Sequence, residues 1–461
     1  MPLNLYDTYK RKLVTIEPIE KGKIGFYSCG PTVYDFVHIG NLRTYIFNDT
    51  LKRALKYLGY KVKHIMNITD VGHLVSDEDA GEDKLEKGAK REGKTVWEVA
   101  RYYTKFFLAD IEALNIEMPE VMPRATETIP EMIEIVKILL EKGAAYETDE
   151  AIYFDISKFP DYEKLTGQKF KDKKQGARDE VVTDPQKKNP ADFALWFKTV
   201  GRFKEHTMHW SSPWGEGFPG WHIECSAMSR KFLGQPFDLH TSAIDHTKVH
   251  HPNEIAQSEA AYGIPLANYW VHAEFLLVDG HKMSKSLGNL FRLSDLEEKS
   301  FSPLDFRYLT LTAHYRNKLN FTWEGLKAAS AAHANLRNLV SELNEPAEPD
   351  EKYLNEFRLH LENDLNTAEA LAVLWKLIKS PEIASGVKRA TVNEMDKVLG
   401  LNLAGLKPEV LSPEIAELVE RRDFARQSRD WKKSDELRRN LEAQGFSVED
   451  GPQGTKVRKN S

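Results

Sequence analysis

One segment near the start of the chain constrains the fold more than any other. An apolar run, Lys23 to Cys29, is ended by Gly30-Pro31, as expected of a buried strand. Apolar residues then recur at helical spacing from Leu42 to Leu58, and Tyr60 to Asn67 has the composition of a second strand. Strand, glycine-bearing loop, helix and strand form a βαβ unit, which indicates an α/β fold with a doubly wound parallel sheet that binds nucleotides at its switch point.

The composition excludes several classes of protein. The chain has 461 residues, of which 41% are hydrophobic and 29% charged, so we expect about two to four globular domains. No run approaches the ~18–20 apolar residues of a bilayer-spanning helix, and the net charge of −6 gives no global indication of nucleic-acid binding. Two cysteines do not make a disulfide framework and suit a reducing interior, so we predict a cytoplasmic protein without a membrane partner.

Two short motifs, far apart in the sequence, have the residues of a nucleotide triphosphate site. In His38-Ile39-Gly40-Asn41 a loop meets a helix start, which favours phosphate, and the glycine lets the backbone approach a flat ring. In Lys282-Met283-Ser284-Lys285-Ser286 two lysines can bring positive charge from the opposite side. Each lysine alone is more often a plain surface residue. Together, the motifs favour catalytic roles for His38, Asn41, Lys282 and Lys285.

Four residues have the ligand types of a tetrahedral zinc site, namely Cys29, Cys225, His250 and Glu254. His250 and Glu254 are four apart in a segment that should open a helix, so they share one face. The neighbouring His251 is the main rival for the imidazole ligand, and His222 and His246 are further options. The alternative interpretation is two buried structural thiols beside a histidine-rich loop. The position of each thiol next to a nucleotide motif favours the metal.

Taken together, these motifs resemble those of the cysteinyl-tRNA synthetase family, within the class I aminoacyl-tRNA ligases. The resemblance covers nearly the whole chain, and the paired cysteines separate it from other class I families. The matching stretches are Tyr27 to Asp35, His38 to Tyr45, Asn67 to Asp70, Gly220 to Ser226, His250 to Gln257, Lys282 to Asn289, Ala313 to Arg316, Asp364 to Ala368 and the tail around Arg429-Asp430-Trp431.

The resemblance implies a role for each site residue. Zinc held by Cys29, Cys225, His250 and Glu254 would take the substrate thiolate directly, and Lys285 would steady the departing pyrophosphate. Trp221 would line the amino-acid pocket, although an ordinary core position suits it equally well. The other positions carried over are His38, Gly40, Asn41 and Lys285 as ATP contacts, Thr69 and His240 in the pocket, and Asp245 at the substrate amine or ribose.

A metal explains how such a protein could select its substrate. Protein synthesis needs discrimination of ~10⁴–10⁵, roughly 5.5–7 kcal/mol, whereas a pocket that separates cysteine from serine by shape supplies only ~1–3 kcal/mol. A borderline-soft metal that prefers thiolate to hydroxyl can cover the difference. We therefore expect no editing domain.

The resemblance also implies a division of the chain into six segments. Helical periodicity at Leu326 to Leu343, Glu356 to Lys376 and Ala390 to Leu399 predicts an all-α C-terminal half, whereas the charged Ser76 to Lys94 is expected to be a solvated segment. The predicted segments are a Rossmann-like catalytic domain in two halves (1–114 and 205–302), a connective insertion (115–204), a stem-contact region (303–345), a helical bundle (346–407) and a small basic anticodon-binding domain (408–461).

The sequence departs from the family pattern near both halves of the site. Asn41 replaces the second histidine of the commonest family loop, but it still offers a hydrogen-bond donor to phosphate. Thr241-Ser242-Ala243 replaces a run of glycines, and the added Cβ atoms could crowd an adenine or a substrate backbone.

The tail combines charge with a stackable ring. Residues 421–461 contain eleven Lys and Arg against seven Asp and Glu, a basic surplus on an acidic protein. Unpaired anticodon bases are bound by such mixtures of cations, aromatic rings and carboxylates. The alternative is a helical hairpin with Trp431 in its core. The predicted tRNA contacts are Arg426, Arg429, Trp431, Asp435 and Arg438.

The sequence thus predicts a monomeric, zinc-dependent cysteine–tRNA ligase with L-cysteine, tRNA(Cys) and ATP with Mg²⁺ as substrates. Two other functions remain open at this point. One is a ligase that passes activated cysteine to an amino sugar, against which the long tail argues. The other is an inactive, synthetase-like RNA-binding protein, against which the intact lysine motif and four ligand candidates argue.

Overall fold

The computed structural model describes residues 3–72, 74, 83–162, 164–165, 184–284, 287–407, 411–451 and 454–459. The strands are, in chain order, β1 (Asn4–Asp7), β2 (Lys12–Thr15), β3 (Lys23–Ser28), β4 (Lys61–Met66), β5 (Ala145–Glu147), β6 (Ala151–Phe154), β7 (Phe193–Lys198), β8 (Trp210–Ser212), β9 (Gly215–Pro219), β10 (Phe237–Ala243), β11 (Ala267–Ala273), β12 (Leu276–Val278), β13 (His281–Lys282), β14 (Leu319–Phe321), β15 (Phe446–Gly451) and β16 (Gly454–Lys459). The helices are α1 (Ile39–Tyr57), α2 (Lys84–Glu92), α3 (Val96–Ala113), α4 (Ile129–Glu141), α5 (Trp221–Leu233), α6 (His250–Tyr262), α7 (Leu293–Glu297), α8 (Pro303–Leu311), α9 (Trp323–Ser341), α10 (Glu351–Glu362), α11 (Thr367–Lys379), α12 (Ser385–Leu399), α13 (Pro413–Gln427) and α14 (Trp431–Ala443).

A four-stranded parallel sheet forms the centre of the molecule, with strand order β11-β10-β3-β4. The predicted βαβ unit is confirmed as β3, α1 and β4. The chain turns from β3 to β4 in one direction and from β10 to β11 in the other. The topological switch point therefore lies between β3 and β10, where nucleotide sites form at the carboxyl ends of the strands.

Helices cover both faces of this sheet because its strands alternate their side chains between two cores. Phe26 of β3 packs in the same apolar cluster as residues of α1 and α3, whereas the neighbouring Tyr27 packs with residues of α4, α5 and α6. Both side chains are fully buried. The doubly wound α/β class predicted from the sequence is thus confirmed.

The inserted region contains a five-stranded antiparallel sheet, with order β5-β6-β7-β9-β8, that the sequence analysis did not predict. The predicted end of the insertion at residue 204 falls inside this sheet, because β9 pairs with β7 and extends to Pro219. The segment Ser76 to Lys94 lies partly outside the described residues, and its described part forms α2.

The C-terminal region is helical, with three differences from the predicted pattern, the first of which is the strand β14, paired with β12. The stretch Glu356 to Lys376 is two helices, α10 and α11, because Asp364 and Leu365 have left-handed backbones with φ of 60° and 49°. The Asp364 carboxylate accepts hydrogen bonds from the Tyr6 amide and the Arg316 side chain, which holds this break in place. The chain then ends in the antiparallel hairpin β15–β16 rather than in a helix. Among the described helices, none is long and apolar enough to cross a bilayer.

Candidate active site and metal centre

One open cavity of about 970 Å³ lies at the switch point of the central sheet. Cys29 follows the end of β3, and Ser242 and Ala243 end β10, so the carboxyl ends of the two strands form its floor. The site residues predicted from sequence that line the cavity are Cys29, His38, Asn41, Thr69, Trp221, Cys225, Asp245 and His250. Met283 and Ser284 line it too, so residues far apart in sequence meet around one space.

The start of α1, where the sequence predicts phosphate binding, is a capping box formed by His38 and Asn41. His38 is its N-cap: the ring Nδ1 accepts a hydrogen bond from the Asn41 amide at 3.3 Å, and Asn41 Oδ1 accepts one from the His38 amide at 3.2 Å. Burial lowers the pKa of His38, although the charge of Asp245 opposes the shift. Because Nδ1 is an acceptor, the neutral ring carries its proton on Nε2, which leaves a donor for a ligand.

Gly40 joins the two nucleotide motifs. An ideal Cβ at Gly40 would lie 3.0 Å from the His38 ring and 3.1 Å from Met283 Sδ. The glycine predicted to admit a flat ring therefore also admits the second motif, which packs directly against the first. This close approach brings the two predicted nucleotide motifs together in the tertiary structure.

The loop of the second motif leaves β13 and is closed by Asn289. The Asn289 side chain accepts a hydrogen bond from the Ser284 amide at 2.8 Å and donates one to the Lys282 carbonyl at 3.3 Å. Lys282 is exposed, and its Nζ lies 5.0 Å from the centre of the Phe275 ring rather than in the cavity lining. Lys285, the predicted pyrophosphate contact, lies outside the described residues.

The predicted metal ligands converge at the buried end of the cavity. One ligand atom from each of Cys29, Cys225, His250 and Glu254 lies within 4.8 Å of the others, and all four side chains are buried. Cys225 lies in the second turn of α5, His250 is the first residue of α6, and Glu254 lies one turn after His250. Two sulfurs, an imidazole and a carboxylate in one buried cluster fit the donor preferences of zinc.

The electrostatics of this cluster favour a cation. Burial opposes protonation of His250, yet the Glu254 carboxylate and the Cys225 thiol raise its pKa to about 10. Burial likewise opposes ionisation of Glu254, yet His240 and His250 lower its pKa to about 2. A buried imidazole that holds a proton this strongly indicates a negative electrostatic potential within the cluster. A bound divalent cation would neutralise that potential.

His251, the rival imidazole, belongs to an overlapping set with Cys29, His240 and Glu254. Its Nε2 lies 3.4 Å from Cys29 Sγ, and its Nδ1 is hydrogen-bonded to His272 Nε2 at 2.8 Å. Of the other options considered, His222 is hydrogen-bonded through Nδ1 to His250 Nδ1 at 2.9 Å. His246 lines the cavity and is hydrogen-bonded to Ser242. Both sets bring their ligand atoms within 4.8 Å of one another, and the predicted set is the one that contains both thiols.

Three of the predicted pocket residues lie where a substrate amino acid would contact them. The Trp221 ring stacks on His250 with centres 4.4 Å apart and lines the cavity, so it is not an ordinary core residue. Asp245 is exposed to the cavity, and Thr69 lines it while its hydroxyl donates to Glu224 at 2.9 Å.

His240 differs from the prediction. It is fully buried, it is not among the described residues that line the cavity, and its Nε2 donates to Glu254 Oε2 at 2.9 Å. A hydrogen bond of this kind orients a candidate metal ligand, as partners of metal ligands do.

The residues that replace the family glycines leave the cavity open. The Thr241 hydroxyl is turned away to Asn48 at 2.8 Å, whereas Ser242 and Ala243 line the cavity without closing it. Sequence reasoning missed Lys84, whose Nζ lies 5.5 Å from the centre of the Trp221 ring at the cavity wall. It lies in the charged segment that was interpreted as solvated, and nothing in its local sequence marks it.

In the tail, Trp431 is exposed rather than part of a core. Its exposed fraction is 58%, and the core of this region is formed by Ile415, Leu441 and Phe446 instead. Phe424, which the sequence analysis missed, is 71% exposed one turn before the end of α13. Its signal was an aromatic residue within the charged stretch 420–426.

Charged residues lie on the same two helices, α13 and α14, and in the turn between them. Arg426 and Arg438 each lie 2.9 Å from the Asp450 carboxylate on β15, which also pairs with the buried Arg422. Arg429, in the turn between α13 and α14, and Asp435 on α14 are both exposed. Exposed rings beside such groups favour the nucleic-acid surface over the helical-hairpin alternative.

The fold has counterparts among solved structures. The methionyl-tRNA synthetase of Mycobacterium tuberculosis in complex with methionyl-adenylate superposes with a TM-score of 0.55 at 16% sequence identity, covering 82% of this chain and 90% of that one. The chain also matches the family described as "tRNA synthetases class I (C) catalytic domain" over residues 15–331. The fold and the site thus define a class I aminoacyl-tRNA synthetase.

Sequence relatives narrow the class further. The chain is 47% identical over 460 residues to "Cysteine--tRNA ligase 1" of Burkholderia lata, which covers 99% of this chain and 97% of that protein. It is 44% identical over 485 residues to the "Cysteine--tRNA ligase" of Treponema denticola, covering 98% of each. Residues 409–458 match the family described as "Cysteinyl-tRNA ligase anticodon binding domain". The chain belongs to the cysteinyl-tRNA synthetase family.

Proposed function

We propose that this protein activates L-cysteine with ATP and transfers it to the 3′ end of tRNA(Cys). The observation that carries the proposal is a single cavity lined by both free thiols and by the two nucleotide motifs. A thiolate-binding metal set beside a phosphate-binding helix start supplies the groups that activation of a thiol amino acid needs. The exposed rings of the tail support tRNA, rather than an amino sugar, as the acceptor.

Cys29, Cys225, His250 and Glu254 would hold zinc, and His240 would orient Glu254. When bound there, zinc supplies a soft Lewis acid that prefers the thiolate of cysteine to the hydroxyl of serine. The stacked Trp221 and the exposed carboxylate of Asp245 lie beside this cluster, where they would contact the substrate side chain and amine.

In the first step the cysteine carboxylate attacks the α-phosphorus in line, and pyrophosphate leaves. The start of α1 would bring the positive end of the helix dipole and the His38 Nε2 donor to the phosphates, because His38 Nδ1 is already occupied by the Asn41 amide. Lys282 and Lys285 would neutralise charge on the leaving pyrophosphate, with Mg²⁺ accompanying ATP. Catalysis is then positioning and charge neutralisation without a covalent enzyme intermediate.

In the second step a ribose hydroxyl at the 3′ end of the tRNA takes the cysteinyl group. The tail would bind the anticodon through Phe424 and Trp431 by stacking and through Arg429 and Asp435 by polar contacts. Action as a monomer is part of the same proposal, because one chain supplies both motifs, the ligand set and the tail. Unpaired cysteines support a reducing compartment such as the cytoplasm.

Cysteine-dependent exchange of pyrophosphate into ATP tests the proposal, with Cys225→Ser as the diagnostic variant. The variant should lose stoichiometric zinc and cysteine-dependent exchange together, because serine is a poor ligand for zinc. Zinc is measured by elemental analysis and exchange with labelled pyrophosphate.

The control is Ser226→Ala, at the residue next to Cys225 on α5. It removes a buried hydroxyl that accepts a hydrogen bond from the Gln257 side chain at 2.7 Å. It should keep zinc and exchange. Wild-type exchange with another amino acid but not with cysteine would refute the function, whereas zinc and activity retained in Cys225→Ser would refute the ligand set.

A further inference from the structure

One face of α3 exposes aromatic rings and cations beside the active-site cavity. Tyr102 and Phe106 are 38% and 39% exposed, and they follow each other by one helical turn. Arg101 and Lys105 are also exposed; each directly precedes one of the two rings, so they too are one helical turn apart. These four residues are called the α3 face below.

The rings of the α3 face form an ordered cluster with Phe36. The Tyr102 and Phe106 ring centres are 4.8 Å apart, and Phe36 meets Phe106 edge to face at 5.1 Å. The Arg292 guanidinium lies 4.1 Å from the centre of the Phe36 ring, and Lys94 Nζ lies 3.9 Å from that of Tyr102. The result is a fixed set of rings flanked by cations, as in surfaces that bind single-stranded nucleic acid.

This cluster is continuous with the cavity. Phe36 and Arg292 are both cavity-lining residues, and so is Tyr103, which packs on Phe36 at 4.9 Å. Phe36 lies two residues before His38, and Arg292 is the N-cap of α7, just after the second nucleotide motif. A ligand on the α3 face would therefore reach the catalytic groups without crossing the protein.

Exposed aromatic rings are rare on this molecule. In the part of the chain that the structure describes, large aromatic side chains in the exposed class occur in two places: Trp97, Tyr102 and Phe106 on α3, and Phe424 and Trp431 in the tail. Exposed apolar clusters beside charged groups mark interaction sites. The tail rings are assigned to anticodon binding in the proposed function, whereas the α3 rings take no part in the proposed chemistry.

The nearby charges favour an anionic ligand. Glu92 is paired with Arg91 and Lys94, and Glu98 accepts hydrogen bonds from Thr95. Burial, with a contribution from Glu297, raises the pKa of Asp110 to about 7, so this carboxyl on α3 is only partly charged at neutral pH. Glu92 and Asp110 therefore contribute little free negative charge, and Arg101 and Lys105 are exposed on the same helix.

We propose that the α3 face is a stacking platform that guides the unpaired 3′-terminal nucleotides of the tRNA into the cavity. The inference rests on the proposed function, because it assigns the route of that same substrate. The occupant must carry stackable bases and phosphates, and it must extend into the cavity where the amino acid is transferred. The single-stranded end of tRNA meets these requirements, because its unstacked bases can stack on the aromatic rings and its phosphates can bind Arg101 and Lys105.

The test is the double variant Tyr102→Ser with Phe106→Ser in the full-length, zinc-loaded protein. It should raise the KM for tRNA in cysteine charging about tenfold, equivalent to about 1.4 kcal/mol, and leave cysteine-dependent pyrophosphate exchange unchanged. Tyr102→Phe with Phe106→Tyr keeps both rings and should restore the KM. Ile264→Ser, which alters a side chain of similar exposure (40%) on another surface, should behave as wild type.

A second arm uses tRNA from which the unpaired 3′ nucleotides have been removed, as a competitive inhibitor. Its inhibition constant should be the same for wild type and double variant, because the trimmed tRNA no longer reaches the α3 face. An unchanged KM in the double variant, an equal loss of binding for the trimmed tRNA, or a loss of exchange would each overturn the platform. Absence of exchange in the wild type would instead refute the proposed function.

Discussion

At the scale of single residues, the close approach of the two nucleotide motifs depends on Gly40. A Cβ there would press on the His38 ring and on Met283 Sδ at 3.0 and 3.1 Å, closer than ordinary van der Waals contact. The residue lies in the first turn of α1, where alanine is the better helix former. Its glycine therefore serves the site at the expense of helix stability.

Gly40→Ala separates these two effects. It should raise the KM for ATP in pyrophosphate exchange about tenfold, because overpacking of about 1–3 kcal/mol displaces His38 or Met283. The thermal midpoint should change little or fall, because the gain of about 1 kcal/mol in helix propensity offsets only part of that cost. The measurement is exchange kinetics at varied ATP beside a melting curve.

Gly325→Ala is the matched control, since Gly325 lies in the first turn of α9 and a Cβ there meets only the Thr322 hydroxyl at 3.0 Å. It should leave the KM unchanged. Equal KM values for wild type and Gly40→Ala would show that the glycine does not set the spacing of the motifs.

At the scale of elements, Arg43 connects α1 to the strands behind the second motif. Its side chain is 4% exposed and donates to the carbonyls of Glu274 at 2.8 Å, Phe275 at 2.5 Å and Asn317 at 2.5 Å. Burial lowers the pKa of Arg43 to about 10, which still leaves it charged at neutral pH. Glu274 and Phe275 lead into β12, whose partner β13 contains Lys282.

Arg43→Lys should lower the rate of pyrophosphate exchange at least about tenfold, because one ammonium group cannot replace a guanidinium that bridges three carbonyls. Zinc content should not change, since the metal ligands are on other elements. Saturating exchange rates and elemental analysis give the two measurements.

Arg53→Lys provides the comparison at the far end of the same helix. Arg53 is 9% exposed and donates to the Asn115 carbonyl and to Asp49, remote from the cavity. Its replacement should lower the thermal midpoint without changing exchange per folded molecule. If both variants lose exchange in proportion to their stability, Arg43 is only a structural residue.

At the scale of the whole molecule, Arg307 joins the catalytic half to the helical bundle. This fully buried side chain lies 2.5 Å from Asp49 on α1. It also donates to the carbonyl of Leu114, just after the end of α3, and to that of Leu399, the last residue of α12. A Cβ at Gly400, whose φ is 64°, would lie 2.5 Å from its Nη2. Three parts of the chain therefore meet at one guanidinium.

Arg307→Met should destabilise the protein by about 3–5 kcal/mol, because it leaves the buried Asp49 carboxylate with less compensation. Charging of tRNA should fall more than pyrophosphate exchange, since the bundle lies between the catalytic half and the tail. The denaturation midpoint and the ratio of the two activities are the measurements.

Arg389→Met is the control, because Arg389 is also buried but donates to carbonyls of Val340 and Leu406 within the C-terminal region. Arg389→Met should lower stability. Its effect on the ratio of tRNA charging to pyrophosphate exchange should be no larger than that of Arg307→Met. A constant ratio in Arg307→Met would contradict the coupling of the two halves.

The sequence by itself determined the βαβ unit at residues 23–67, the two nucleotide motifs and the four candidate ligands. Periodicity and residue chemistry are local properties, so β3, α1 and β4 could be recognised from their own residues. The family resemblance then extended these local signals to nearly the whole chain.

Only the tertiary structure decided where side chains lie relative to distant parts of the chain. It placed His240 behind Glu254, exposed Trp431, built the antiparallel insertion sheet and divided the predicted helix at Asp364. Burial and strand pairing depend on which segments return to meet each other, and a local pattern does not contain that information. The α3 face is one example, because its rings are assigned to tRNA binding only through their position at the mouth of the cavity.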